Sequence, residues 1–593
     1  YVDTWGAENP DEKGRKSSES QSACNARRHG LAQWCGSNDW EIVMHYSVPL
    51  SPPPATPSPP PIPADALAQL NALRDRLQQQ VDRVSEHMNA TLSIGVVGTL
   101  FGVINAEVKV AAGANDYTNP HGSRIDTGTI FPLGSATKMF SATSVMRLAE
   151  QGNISLDETV QPYIDQYLSR TLPCGGLPAD SYCLQTCVPQ RAAVAECMGG
   201  GGKYTTNDCH DIGPRCLAEC DGYFACPAVN LPVPTLQSIF EGETRMSQIT
   251  FKHVIGLQSG VQDYGSWHLE ATLASPPRDI TPLEYLAHQK HPLLFDPGQG
   301  AAYSTNGFSL VGLALAGKWN LNHWYELDQH QLAWGDHAPP SDRTTFPTRG
   351  TCLQNGFHGD ANTMVRQYYS ASKASDKTFR DITGFSCLNN WMGGNVAAPP
   401  VDVARFVYQT YSPHSVLLSP SSQAMMQDYH LIDHGWGAHF IGYGLGTMVG
   451  PDLKPMKKCG LSAVGHEGLD YGSGAAFNYY VQELDLAITV AGAANIDGSS
   501  VVGMACDLKY SDLSKVKNFA DSVPLAIVAD ALGHHTSCAT EASLPSPTSN
   551  GWCTTENWPQ TPPPPPPCAG ASCSPPPPPP PPCSWLQHLL QQC

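Results

Sequence analysis

Two proline tracts bound the part of this chain that can fold. Ser51 to Pro63 reads SPPPATPSPPPIP, and Thr561 to Cys583 reads TPPPPPPCAGASCSPPPPPPPPC. Proline fixes φ and has no amide hydrogen, so such runs take an extended polyproline II form and pack no core. Residues 1–48, with Cys24 and Cys35, are too few to hold a core alone. The expected organisation is a short segment 1–48, a linker 49–63, a folded domain 64–535 and a Pro- and Cys-rich tail 536–593.

Charge and cysteine usage narrow the classes further. The 593 residues carry a net charge of −19 and no basic run, which argues against nucleic acid or an anionic membrane as the main partner. No window approaches ~18 unbroken apolar residues, so no membrane span is expected. Eight of the 20 cysteines fall between Cys174 and Cys226, in a loop-like stretch rich in Gly. Disulfides in an oxidising compartment are the natural reading, with a pairing that spacing does not reveal. Zinc stays open as an alternative, through Cys183/Cys187, Cys216/Cys220 and Cys209 beside His210. The sequons at Asn89 and Asn153 and the start at Tyr1, with no methionine, are compatible with a secreted, extracellular protein.

Periodicity places the elements. From Ala64 to about Asn89 the pattern is helical, with Leu67, Leu70, Leu73 and Leu77 on one face. Two strand-like runs follow, LSIGVVGTLF and AEVKVAAG, then a helix ended by Gly152 with Met139, Phe140, Val145, Met146 and Leu148 as its apolar side. Late strands, SGAAFNYYV and LDLAITVAGA, flank a turn at Glu483, and a last helix is expected over about Leu513–Leu532. This order predicts an α+β fold in which first and last strands share one antiparallel sheet, flanked by helices, beside a mostly helical region.

The stretch FPLGSATKMFSATSVMRLAEQG carries the candidate chemistry. Ser135 and Lys138 form S-x-x-K at a helix start, where i and i+3 share a face. A serine there meets backbone N–H groups and a dipole that favour developing negative charge. A lysine depressed by burial can take its proton, and Gly134 suits a tight entry to the helix. The bland alternative is a polar first turn with a surface lysine. A second S-x-x-K, Ser370 to Lys373, lacks an apolar stripe and reads as a solvated loop.

The chain resembles the serine β-lactamase and penicillin-binding protein family, class C-like, through five blocks in order. They are FPLGSATKMFSATSVMRLAEQGNISLDETV, ITFKHVIGLQSGVQDY, LFDPGQGAAYSTNGFSLVG, MGGNVAAPPVDVARFVYQTY and VGHEGLDYGSGAAFNYY. The resemblance spans roughly 64–535 and implies a β-lactamase/transpeptidase-like fold, a covalent acyl-enzyme and no metal or cofactor. It implies Ser135 as nucleophile, Lys138 as its base and Tyr303 as second acid/base. His466, at the position of the family's third-motif lysine, is expected to orient a substrate carboxylate or the Tyr303 hydroxyl. The oxyanion donors would be the backbone N–H groups of Ser135 and Leu469, and substrate would lie against Thr305, Asn306 and Gly468. Alternatives remain for two of these: a core tyrosine at 303 and a structural histidine at 466. Lys458-Cys459-Gly460 is a decoy for the third motif.

Two departures from the family pattern bear on substrate. Thr305 stands where the family has the Asn of Y-x-N, and H-x-G replaces K-T-G. Both point from β-lactam recognition towards esterases, D-aminopeptidases and carboxypeptidases that act on esters, amides or D-amino-acid peptides. The insertion of about 174–246 is expected to be either a rim over the site or a surface decoration. The rival class is a catalytically weak extracellular or wall-associated binding protein that keeps the fold. That class is favoured by Thr305 and by the proline tracts, which resemble hydroxyproline-rich segments of extracellular glycoproteins. A zinc β-lactamase fails for want of an H-x-H-x-D cluster.

Overall fold

A computed structural model describes residues 61–88, 90–115, 123–171, 235–263, 281–287, 292–348, 364–369, 380–381, 391–449, 460–470, 474–493, 523–534 and 536. The segment 1–48, nearly all of the linker, the cysteines from Cys174 to Cys226, Ser370 and Lys373, Lys458 and Cys459 and almost all of the tail lie outside these residues.

The chain enters through helix α1 (Ala64–Met88). Its buried face is Ala66, Leu70, Leu73, Leu77, Val81 and Val84, spaced by three and four. Leu67 is not part of that face and is 47% exposed, because it sits about 100° round the helix from Ala66. Strands β1 (Leu92–Leu100) and β2 (Val103–Ala112) follow. Only Phe101 and Gly102 join them, both at positive φ, the primed turn that matches strand twist.

Helices α2 (Thr137–Glu150), α3 (Gln161–Thr171), α4 (Thr305–Lys318) and α5 (Pro400–Tyr411) form the helical part. Strands β3 (His430–Leu431), β4 (Gly442–Tyr443), β5 (Met448–Val449), β6 (Ala463–Gly465), β7 (Gly468–Leu469), β8 (Gly474–Val481) and β9 (Leu486–Gly492) complete one antiparallel sheet. Its order is β2-β1-β9-β8-β6-β5-β4-β3, with β7 also paired to β8. First and last strands are thus neighbours, in the register Val96 to Ile488. The β8–β9 turn places Asp485 in the left-handed region, and its carboxylate accepts from Thr99, Tyr408 and Tyr480.

The two sheet faces have different covers. Glu107 of β2 accepts a 2.7 Å bond from Arg405 Nε of α5, so α5 lies on that face. Alternation sends Val108 and Val110 to the other face, where α1 packs. The last helical stretch, 523–531, lies beside α1, with Arg76 and Asp530 paired at 3.0 Å. The first and last helical stretches are thus neighbours. Residues 513–522 of that predicted helix fall outside the described residues.

Arg405 also donates to buried Asp402 at 2.5 Å, and Asp402 accepts from the Arg343 backbone N–H at 2.9 Å. Burial pushes the Asp402 carboxyl up, so its charge depends on these donors. Arg405→Ala is expected to destabilise the fold by about 3–5 kcal/mol, because it leaves a buried carboxylate without its cation. The double change Asp402→Leu with Arg405→Met should recover much of that loss, read as the shift in denaturation midpoint.

Candidate active site

Two buried helices bring their N-termini together. Ser135 sits in a 3-10 turn, Gly134–Ala136, that runs into α2. The turn follows directly on Phe131–Pro132, which pairs with Ala397–Ala398. Gly134 has φ +50°, a conformation costly for other residues, and so turns the chain from strand into helix. Helix α4 starts at Thr305, capped by Ser304 Oγ, which accepts from the Gly307 N–H. Tyr303 therefore lies on extended chain just before that start.

Two side chains converge on the Ser135 oxygen. Lys138 Nζ is 2.9 Å from Ser135 Oγ, and the Tyr303 hydroxyl is 2.7 Å from it. Lys138 is fully buried and makes two further bonds, to Thr305 Oγ1 at 3.2 Å and the Gly393 carbonyl at 2.9 Å. The carbonyl can only accept, and a neutral amine has two N–H donors and one lone pair. With its N–H groups on Thr305 and Gly393, the lone pair of Lys138 faces Ser135. Burial pushes the Lys138 amine down to about 7. Asp263 opposes this through its charge, and its Oδ1 also accepts from the Thr305 N–H at 2.8 Å. The Lys138 amine also lies 4.8 Å from the centre of the Tyr303 ring.

The block around Gly393 locks the serine turn in place. Leu133 N–H donates to the Val396 carbonyl, Val396 N–H donates to Thr137 Oγ1, and Ser141 Oγ donates to the Met392 carbonyl. On the opposite side comes β7. A Cβ on Gly468 would lie 1.9 Å from the Leu133 carbonyl oxygen and 2.5 Å from the Ala136 nitrogen. The bareness of Gly468 is thus used up by the protein's own backbone rather than by a substrate. It brings the segment carrying the Leu469 N–H onto the turn carrying the Ser135 N–H, the two expected oxyanion donors.

His466 has a different setting from the one expected. It is fully buried after β6, and its Nδ1 faces the Glu467 carbonyl, so Nδ1 carries the proton. Nε2 then accepts from the Tyr443 hydroxyl at 3.0 Å. Burial, with Lys138 nearby, pushes the imidazole down to about 3, so it is neutral. Both nitrogens are engaged, leaving none for a substrate carboxylate or the Tyr303 hydroxyl. The backbone on either side is held by Asn478, whose carbonyl accepts from His466 N–H and whose side chain donates to the His466 carbonyl. Thr305 and Asn306 are likewise buried, in the first turn of α4, and Thr305 turns to the lysine.

Sequence reading did not single out Asp263, Tyr443, Asn478, the Gly393 carbonyl or Trp436. Asp263 and Gly393 lie within blocks quoted for the resemblance, whereas the partnership of Tyr443 with His466 arises only when β4 and β6 enter one sheet.

Residues 73–318 match the family model described as Beta-lactamase, a stretch that contains Ser135, Lys138 and Tyr303. Over those residues the chain is similar to the β-lactamase family, and its antiparallel sheet with flanking helices has a β-lactamase/transpeptidase-like fold. No curated protein matches the chain. Among solved structures it is similar to a D-amino acid amidase from Ochrobactrum anthropi SV3 at 14% identity and TM-score 0.47, covering 78% of this chain and 99% of that one. A D-stereospecific amidohydrolase from Streptomyces sp. is similar at 16% identity and TM-score 0.42, covering 71% and 94%. An octameric penicillin-binding protein homologue from Pyrococcus abyssi is similar at 15% identity and TM-score 0.41, covering 79% and 78%.

Asp263→Asn keeps the acceptor for the Thr305 N–H and removes only the charge. Without that charge the Lys138 amine falls further, and neutral amine forms at lower pH. The acid limb of the Ser135 reaction with a fluorophosphonate should therefore move down, by up to about one pH unit.

Proposed function

We propose that the protein is a serine hydrolase that acts through a covalent acyl-enzyme at Ser135 on an ester, amide or D-amino-acid peptide. The observation that carries this is the double engagement of one oxygen: Lys138 Nζ at 2.9 Å and Tyr303 OH at 2.7 Å from Ser135 Oγ. Ser135 Oγ attacks the substrate carbonyl as its proton passes to the Lys138 lone pair. The tetrahedral oxygen is held by the Ser135 and Leu469 N–H groups, worth about 3 kcal/mol each. The proton then reaches the departing group through Tyr303, whose hydroxyl lies against Ser135 Oγ, and the bond to that group breaks. Water enters by the reverse relay and frees the acid. In this scheme His466 is a positioning residue: neutral and bonded to Tyr443, it holds the chain that leads into β7.

A neutral His466 supplies no cation for a carboxylate, which favours uncharged ester or amide substrates over β-lactams. Secretion and disulfides in the Cys174–Cys226 stretch are part of the same proposal and rest on the cysteine count and sequons. The rival reading, a binding protein that keeps the fold, predicts an inert serine.

Intact-protein mass after exposure to a fluorophosphonate, a penicillin or an activated ester separates the two. The expected result is one adduct of the fluorophosphonate per chain on the wild type and none on Ser135→Ala, with turnover of the activated ester. Folded wild-type protein that takes no adduct from any reagent would establish the rival.

A further inference from the structure

The hairpin between β3 and β4 is pinned to the chain that carries Tyr303. Asp433 N–H and His434 N–H both donate to the Ala301 carbonyl, at 2.8 and 3.1 Å. Ala301 N–H donates back to Asp433 Oδ2 at 2.9 Å, and Ala302 bridges to His434. Across the loop, His439 N–H donates to the Ile432 carbonyl at 2.7 Å. The loop is therefore closed on itself and fixed two residues before Tyr303. At its tip stands Trp436, edge-on to the Tyr303 ring with centroids 4.9 Å apart. One side of this indole touches the acid/base tyrosine, yet the residue is 53% exposed. Phe440, in the same loop, is 58% exposed. A tryptophan held by a fixed loop against a reacting group, and open on its other side, offers an apolar wall to whatever that group meets.

Resting on the acyl-transfer reading above, we propose that Trp436 forms one wall of the site that receives the departing group, and that this group is aromatic or otherwise apolar. Tyr303 hands the proton to the departing atom, so the surface beside its ring is the surface that this group occupies. The acyl group stays on Ser135 and is read elsewhere.

Two ester series test this. Phenyl and 2-naphthyl acetates vary the size of the departing group at similar acidity, and 4-nitrophenyl acetate and butyrate vary the acyl group. The wild type should favour the naphthyl over the phenyl ester in kcat/KM. Trp436→Ala should lose that preference by about tenfold, with the acetate-to-butyrate ratio unchanged, and Trp436→Phe should restore most of it. An unchanged naphthyl-to-phenyl ratio, an equal loss on all four esters, or a change confined to the acyl series would each overturn the assignment. If the wild type hydrolyses none of the esters and Ser135 takes no fluorophosphonate, the acyl-transfer reading itself fails and this inference with it. Normal labelling of Ser135 with no effect at Trp436 condemns the inference alone.

Discussion

An amine buried at the meeting of two helix N-termini is the constraint on which the rest of this site depends. Lys138 has no water to solvate a charge, and the first turn of α4 presents the positive end of a helix dipole to it. Both effects favour the neutral form. The charge of Asp263 pulls the other way, and the amine lies at about 7. Its N–H groups are committed to Thr305 and Gly393, so the lone pair has one direction left, towards Ser135. Thr305 in place of an asparagine keeps an acceptor where the lysine needs one.

The scaffold exists to hold that geometry. Helix α2 is buried along nearly its whole first two turns, so the serine turn has no freedom to drift. The Met392–Val396 segment clamps it from one side and β7 from the other. A methyl group on Gly468 would push the strand off the turn and separate the Leu469 N–H from the Ser135 N–H. His466 serves the same end from behind. A histidine fully buried, neutral and bonded through both nitrogens acts as a strut between β4 and the approach to β7.

Much of this was legible along the chain because it is local. S-x-x-K places its two side chains on one helical face by arithmetic, and Gly134 marks the turn before it. Strands β1 and β9 carry their pattern in Val, Ile and Leu, β8 carries its own in Phe, Tyr and Val, and they pair in one sheet as expected. What escaped the sequence is what only the sheet assembles. The His466–Tyr443 bond joins residues 23 positions apart through the order β6-β5-β4, and no local pattern ties the two together. Motif spacing puts Thr305 at a substrate position but says nothing about which way its side chain turns, and it turns to Lys138. The three-residue spacing of leucines puts Leu67 on one face with Leu70, Leu73 and Leu77, yet Leu67 is exposed. The true stripe begins one residue earlier, at Ala66, whose small side chain gives a weak signal.

The claim that a neutral Lys138 activates Ser135 is most directly tested by the pH dependence of Ser135 phosphonylation by a fluorophosphonate, with loss of fluoride, in the wild type. The rate should rise through a single midpoint near 7, where burial places the amine, and that rise should vanish in Lys138→Met along with nearly all of the rate. A rate independent of pH between about 5 and 9, or a Lys138→Met variant that reacts as the wild type does, would contradict the account.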